Sequence, residues 1–161
     1  MAVKFISEKE IESAAEALEN EGQYEQAVAS LQKEQPEIVG WLFSDNLDLL
    51  TQSEREYLLY LVLVIFHALH LRQSEIPRPD EETLSLLEEK NWTALGSTKA
   101  NTFHERLDVF FEHTDQEDLL AFAEDALSDF EDELVTKEGR EAVFIVLKTV
   151  IDCWTGQAAE D

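Results

Sequence analysis

Residues Tyr57 to Leu71 read YLLYLVLVIFHALHL, a run of 15 residues interrupted only by His67 and His70. At 3.6 residues per turn its side chains point in every direction around the axis, so a helix built from it has no polar face to give to water. The run therefore predicts a buried central helix, about 52–73, wrapped by its neighbours. Just before it, Thr51 and Glu54 stand at the spacing of a capping box, which marks the helix start. A membrane-spanning helix needs about 20 mostly apolar residues. This run is shorter, with Glu54, Arg55 and Glu56 crowding one end and Arg72 closing the other. A core helix is the better reading, and no membrane partner is expected.

Working outward, the same helix-start signals recur. Ser7 with Glu10 forms a second capping box, with Ile6 and Ile11 at hydrophobic-staple spacing, and Thr114 with Glu117 forms a third. Asp80 can cap a helix whose first turn carries Glu81 and Glu82, the charge that suits a helix N-terminus. Gly22 and Gly96 fall where helices should stop. No alternating segment bounded by an Asn-Gly or Asp-Gly turn suggests a hairpin. The sequence thus predicts helices near 8–21, 24–34, 37–49, 52–73, 81–91, 98–112, 115–133 and 137–155. The fold class is all-α: a compact bundle of seven to eight helices around the 52–73 helix, with 137–155 beside it, in one domain spanning 1–161.

The strongest break is Ser74–Pro79, SEIPRP, where two prolines forbid helix continuation. It separates two weakly similar halves, 7–75 and 80–156. LLTQSERE at 49–56 aligns with LVTKEGRE at 134–141, an offset of 85 residues, and an apolar helix follows each. Two readings stay open: a duplicated helical unit, or two core helices that share a capping grammar. The same alignment places His67 opposite Asp152, suggesting a polar contact across the core. Residues Ile11–Leu31, IESAAEALENEGQYEQAVASL, resemble a single tetratricopeptide helix hairpin, with Ala15, Leu18, Gly22, Tyr24, Ala27 and Leu31 at its packing positions. The resemblance implies two close-packed helices turning at Gly22. It departs after Leu31, where Glu34 replaces a small residue and Val39 a proline, and no second copy follows.

Composition bounds the function. The chain has 161 residues, with 36 Asp and Glu against 12 Lys and Arg, a formal charge of −24. A phosphate-binding surface relies on Lys and Arg, so nucleic acid is not an expected partner, and anionic membranes are disfavoured for the same reason. The single cysteine, Cys153, allows no internal disulfide, and MAVKFISEKE lacks the apolar core of a signal peptide. A soluble, cytoplasmic protein is expected.

Motifs for chemistry are sparse. Five scattered glycines form no P-loop, G-x-G-x-x-G or G-x-S-x-G, so no cofactor is expected. His67 and His70 share a helix face but have no carboxylate beside them in their own helix; metal sites need three or four convergent ligands. HERLD at 104–108 puts Asp108 where a zincin helix needs its second histidine, and His113 precedes Thr114. Cys153 adjoins Asp152, which disfavours its thiolate. One alternative remains: a metal-binding bundle or enzyme using His67/His70 or His104/His113 with carboxylates.

The acidic surface is the feature left standing. From Glu105 to Glu133 there are twelve acidic residues and one basic, Arg106. Asp118, Asp125, Asp129 and Asp132 fall on one side of the predicted 115–133 helix, opposite Leu119, Phe122, Ala123, Ala126, Phe130 and Leu134. Such a ridge is either a solvated face that maintains solubility or a docking site for a basic protein segment. The expected function is a non-enzymatic interaction module with an acidic face, nucleic-acid mimicry being one form of it.

Overall fold

The computed structural model describes residues 5–44, 50–72, 75–128 and 136–156, apart from the side chains of 137 and 138. All regular structure among the described residues is helical: α1 Glu8–Leu18, α2 Gln23–Glu34, α3 Pro36–Leu42, α4 Gln52–Arg72, α5 Glu81–Gly96, α6 Phe103–Arg106, α7 Asp108–Phe111, α8 Glu117–Ser128 and α9 Lys137–Thr155. No helix among them is long and apolar enough to cross a membrane.

The quoted run forms the middle of α4, and Leu58, every residue from Leu61 to Phe66, Ala68 and Leu69 are buried. The helix is not covered on every side, however. Tyr57, Tyr60, His67 and Leu71 lie along one stripe and reach the surface, Leu71 being 58% exposed. Those positions carry ring hydroxyls, an imidazole and a helix-end leucine, the residues of the run that tolerate water best. The centre of the bundle is a pair rather than one rod. In α9 every residue from Val143 to Thr155 is buried, and Phe66 packs on Trp154 at 5.4 Å between ring centroids. Helix α1 covers α4, while α5 covers α9.

Caps set most of the boundaries. Ser7 and Glu10 make their capping box, with Ile6 and Ile11 both buried. Asp80 accepts from Thr83 N at 2.7 Å and starts α5. Gly22 turns the chain between α1 and α2 at φ +83°, a conformation L side chains rarely adopt. The hairpin forms as the tetratricopeptide resemblance implies, with Ala27 and Leu31 buried and Tyr24 half-buried. The proline segment is tied down: Gln35 Nε2 donates to Pro77 O at 3.0 Å, and Arg78 pairs with Glu37 through two bonds of 2.7 and 3.0 Å.

Several boundaries differ from expectation. The helix predicted at 98–112 is two single turns, α6 and α7. Thr98 Oγ1 accepts from Ala100 N, and Thr102 Oγ1 from Glu105 N, so these side chains hold the backbone in turn and cap geometry until Phe103. Helix α5 runs on to Gly96 rather than ending near 91, because Asn91 is buried and Leu95 extends the apolar face. Helix α8 begins at Glu117, and Thr114 Oγ1 accepts from Gln116 N instead of making the expected box. Helix α3 ends at Leu42 with Phe43 as its C-cap, short of the expected 49, and the expected helix end within 129–133 lies outside the described residues.

The two core helices start at residues 52 and 137, the offset read from the sequence, each after a threonine cap. One carboxylate serves both. Glu54 Oε1 accepts from Thr51 N at 2.8 Å while Thr51 Oγ1 accepts from Glu54 N at 3.1 Å, the box within α4. Glu54 Oε2 then accepts from Thr136 N and Thr136 Oγ1, both at 2.8 Å, while Thr136 Oγ1 accepts from Gly139 N at 2.9 Å. Glu54 thus supplies α9 with the carboxylate its own third position lacks. That position is glycine because a Cβ on Gly139 would lie 2.6 Å from Glu54 Cδ.

Burial alone would push the Glu54 carboxyl up, but hydrogen bonds from Thr51 and Thr136 outweigh it and hold it below its ordinary 4.5. A carboxyl depressed in the folded state contributes stability that is complete above its unfolded value and lost as pH falls through its folded value. The urea midpoint of the native protein will therefore fall as pH is taken below 4.5. Glu54→Gln, less stable at neutral pH, will show a shallower decline over the same interval. Parallel curves would contradict this role.

A buried polar network joins α5 to α9. Lys148 Nζ lies 2.5 Å from Asp152 Oδ1, and Asn91 Nδ2 donates to Thr149 Oγ1 at 3.0 Å and to Asp152 Oδ2 at 3.3 Å. Asp152 is therefore engaged by Lys148 and Asn91, not by His67 as the alignment suggested. Next to it, burial and then the Asp152 charge push the Cys153 thiol up to about 12, so it stays protonated and unreactive.

Candidate functional site

Helices α1, α4 and α8 meet along a groove of about 520 Å³. Its floor comes from α4 and α8: Tyr57 and Tyr60 one turn apart, then Phe122, with Ile11 and Leu61 buried beneath. The two tyrosine rings stack, 6.3 Å between centroids and 14° between planes. Its walls are acidic. Glu8 and Glu12, four apart on α1, face Asp118 and Asp125, which stand on the same side of α8 as Phe122. No Lys or Arg is among the described residues that line it.

Long-range hydrogen bonds fix this shape. Asp118 Oδ2 accepts from Glu8 N at 2.9 Å, placing a carboxylate at the positive end of α1. Gln116 Oε1 accepts from Ile6 N at 3.0 Å beside it. Across the groove, Tyr57 donates its hydroxyl to Ala126 O at 2.9 Å, locking that ring against α8. These bonds tie α8 to the start of α1 and to α4.

Of the acidic residues singled out on the 115–133 helix, the structure brings Asp118 and Asp125 to the groove; Asp129 and Asp132 lie outside the described residues. Asp118 is half-buried and partly occupied by its bond to α1, whereas Asp125 is exposed. The apolar side of α8 follows expectation at Leu119 and Ala123, which are buried. Phe122 instead turns partly outward into the groove. Sequence reasoning missed Glu8, Glu12, Tyr57 and Tyr60. The signal was present in the two tyrosines of YLLYL, since a hydroxyl-bearing ring usually sits where one end is dry and the other wet.

The histidines do not converge. His70 Nε2 lies 3.0 Å from Glu34 Oε1, and its ring meets Phe66 edge-on at 4.6 Å. Burial and then the proximity of His70 hold His67 below its ordinary value, which favours the neutral ring. His104 Nδ1 lies 2.8 Å from Glu124 Oε2, and that carboxylate holds the imidazole above its usual range. His113 is exposed. Among the described residues no three His, Cys, Asp or Glu side chains are grouped to hold a metal ion. The groove thus brings carboxylates and aromatic rings together, while His70 and His104 each meet a single carboxylate elsewhere. No protein-family model, curated protein or solved structure matches this chain.

Proposed function

We propose that this protein is a non-enzymatic, cytoplasmic interaction module that receives a positively charged segment of a partner protein in the groove between α1, α4 and α8. The observation that supports it is the pairing of four carboxylates, with no lining cation among the described residues, around an aromatic floor. Exposed ion pairs contribute only about 0–1 kcal/mol each, so the acidic walls alone would bind weakly. Cations held over tyrosine or phenylalanine rings add about 0.5–2 kcal/mol, and both groups act on the same ligand here. The formal charge of −24 steers basic segments toward the protein, and the groove selects among them. A concave floor favours inserted side chains over mimicry of a convex phosphate backbone.

The test is direct binding of a basic peptide to the full chain across a salt series. Affinity should fall steeply as salt rises. Glu12→Lys with Asp125→Lys, both at exposed positions, should weaken binding by roughly 30-fold, from two lost attractions and two new repulsions of about 0.5 kcal/mol each. Unchanged affinity in that variant would mean the acidic walls are merely solvated.

A further inference from the structure

We infer that the groove selects arginine over lysine, a conclusion that rests on the binding mode just proposed and names the side chain it favours. The groove presents two different kinds of contact. Aromatic rings line it: the stacked Tyr57–Tyr60 pair, with Phe122 on the neighbouring helix. At the sides stand the carboxylates of Glu8 and Glu12 on α1 and of Asp118 and Asp125 on α8. A guanidinium is flat and uses both at once. Its face stacks on an aromatic ring while its N–H donors leave in the plane of the group toward the flanking oxygens. Because it is weakly hydrated, it gives up little water on reaching a floor built over Ile11 and Leu61.

A lysine ammonium fits this arrangement poorly. It is a compact point charge whose donors point away from any single plane, and it holds its water tightly. Near the ring faces it would lose hydration that the walls cannot all replace. One wall carboxylate is already committed in part, since Asp118 Oδ2 accepts from Glu8 N. In-plane donors can still reach its other oxygen. Lysine would therefore remain at the rim, attracted by the acidic field but not seated on the floor. Tyr60 is the residue that decides the difference: Tyr57 is held by its bond to Ala126 O, while Tyr60 lies one turn further along the groove and is half-buried.

Two peptides of equal length and charge, one built on arginine and one on lysine, test this against the full chain at fixed salt. The arginine peptide should bind roughly fivefold tighter, the factor one aromatic–cation contact supplies at a half-exposed site. Tyr60→Leu should abolish that preference by weakening the arginine peptide alone, and Tyr60→Phe should keep it. As a readout needing no variant, N-acetylargininamide should shift the Tyr57 and Tyr60 ring resonances of the native protein, and N-acetyllysinamide should not. Equal affinities, or equal ring shifts from the two amides, would overturn the selectivity and leave the binding mode intact. Failure of both peptides to bind would instead overturn the proposed function itself.

Discussion

Gly139→Ala will destabilise this protein by about 2 kcal/mol, although alanine is the better helix former by about 1 kcal/mol. The added Cβ would occupy the space of the Glu54 carboxylate, which sits against the start of α9. A glutamate side chain can ordinarily swing aside. This one is held by Thr51 N, Thr136 N and Thr136 Oγ1, and it is 1% exposed. Losing charge-assisted hydrogen bonds that cap two core helices costs about 3 kcal/mol, more than the propensity gain returns. The mechanism has a sharp signature in a double-mutant cycle. Glu54→Ala alone will cost about 3 kcal/mol. In that background Gly139→Ala will change sign and stabilise by up to about 1 kcal/mol, because the carboxylate is gone and the helix preference remains. Urea denaturation of the four proteins measures this, and additive effects would show that Glu54 does not determine the glycine.

The second large effect lies at the other side of α9. Lys148→Met will destabilise by about 3–5 kcal/mol, since it leaves the Asp152 carboxylate buried without its cation. Asp152 is 6% exposed, and Asn91 alone cannot replace an ammonium 2.5 Å away. The pair itself contributes far less than its breakage costs. Lys148→Met with Asp152→Leu should therefore recover most of the loss, as both desolvated charges disappear together. Asn91 still reaches Thr149 in that variant and keeps one polar contact between α5 and α9. A double variant no more stable than Lys148→Met would contradict the account.

These residues show where the sequence was legible. The buried run at 57–71 needed only periodicity, because a helix without a polar face has one kind of environment open to it. Caps such as Ser7–Glu10 and Asp80 were legible because their chemistry is complete within four residues. The double role of Glu54 was not, since its second partner lies 82 residues away. The 85-residue alignment did place Thr51 opposite Thr136 and Glu54 opposite Gly139, so it held the two halves of that contact without joining them. Residues 98–102 misled because threonine side chains compete locally with helical hydrogen bonds, a contest decided by fine geometry rather than composition.

The groove was half-legible. Asp118 and Asp125 were visible as one face of α8, but a ridge becomes a groove only when a second acidic helix stands opposite. Glu8 and Asp118 meet across 110 residues of chain, a juxtaposition that local patterning cannot contain. The acidic excess hides it further, since carboxylates pair with no particular partner when nearly every surface carries them. What distinguishes this surface is its floor, where Tyr57, Tyr60 and Phe122 are left open between charged walls.

On the proposed function, binding is local to this groove and is not a diffuse property of a highly charged surface. Backbone amide shifts of the full chain during titration with an arginine-rich peptide test it most directly. The predicted result is a set of saturating shifts confined to 8–12, 57–61 and 118–126. Shifts of equal size on the acidic faces of α2 and α5, with no saturation along α1 and α8, would contradict it.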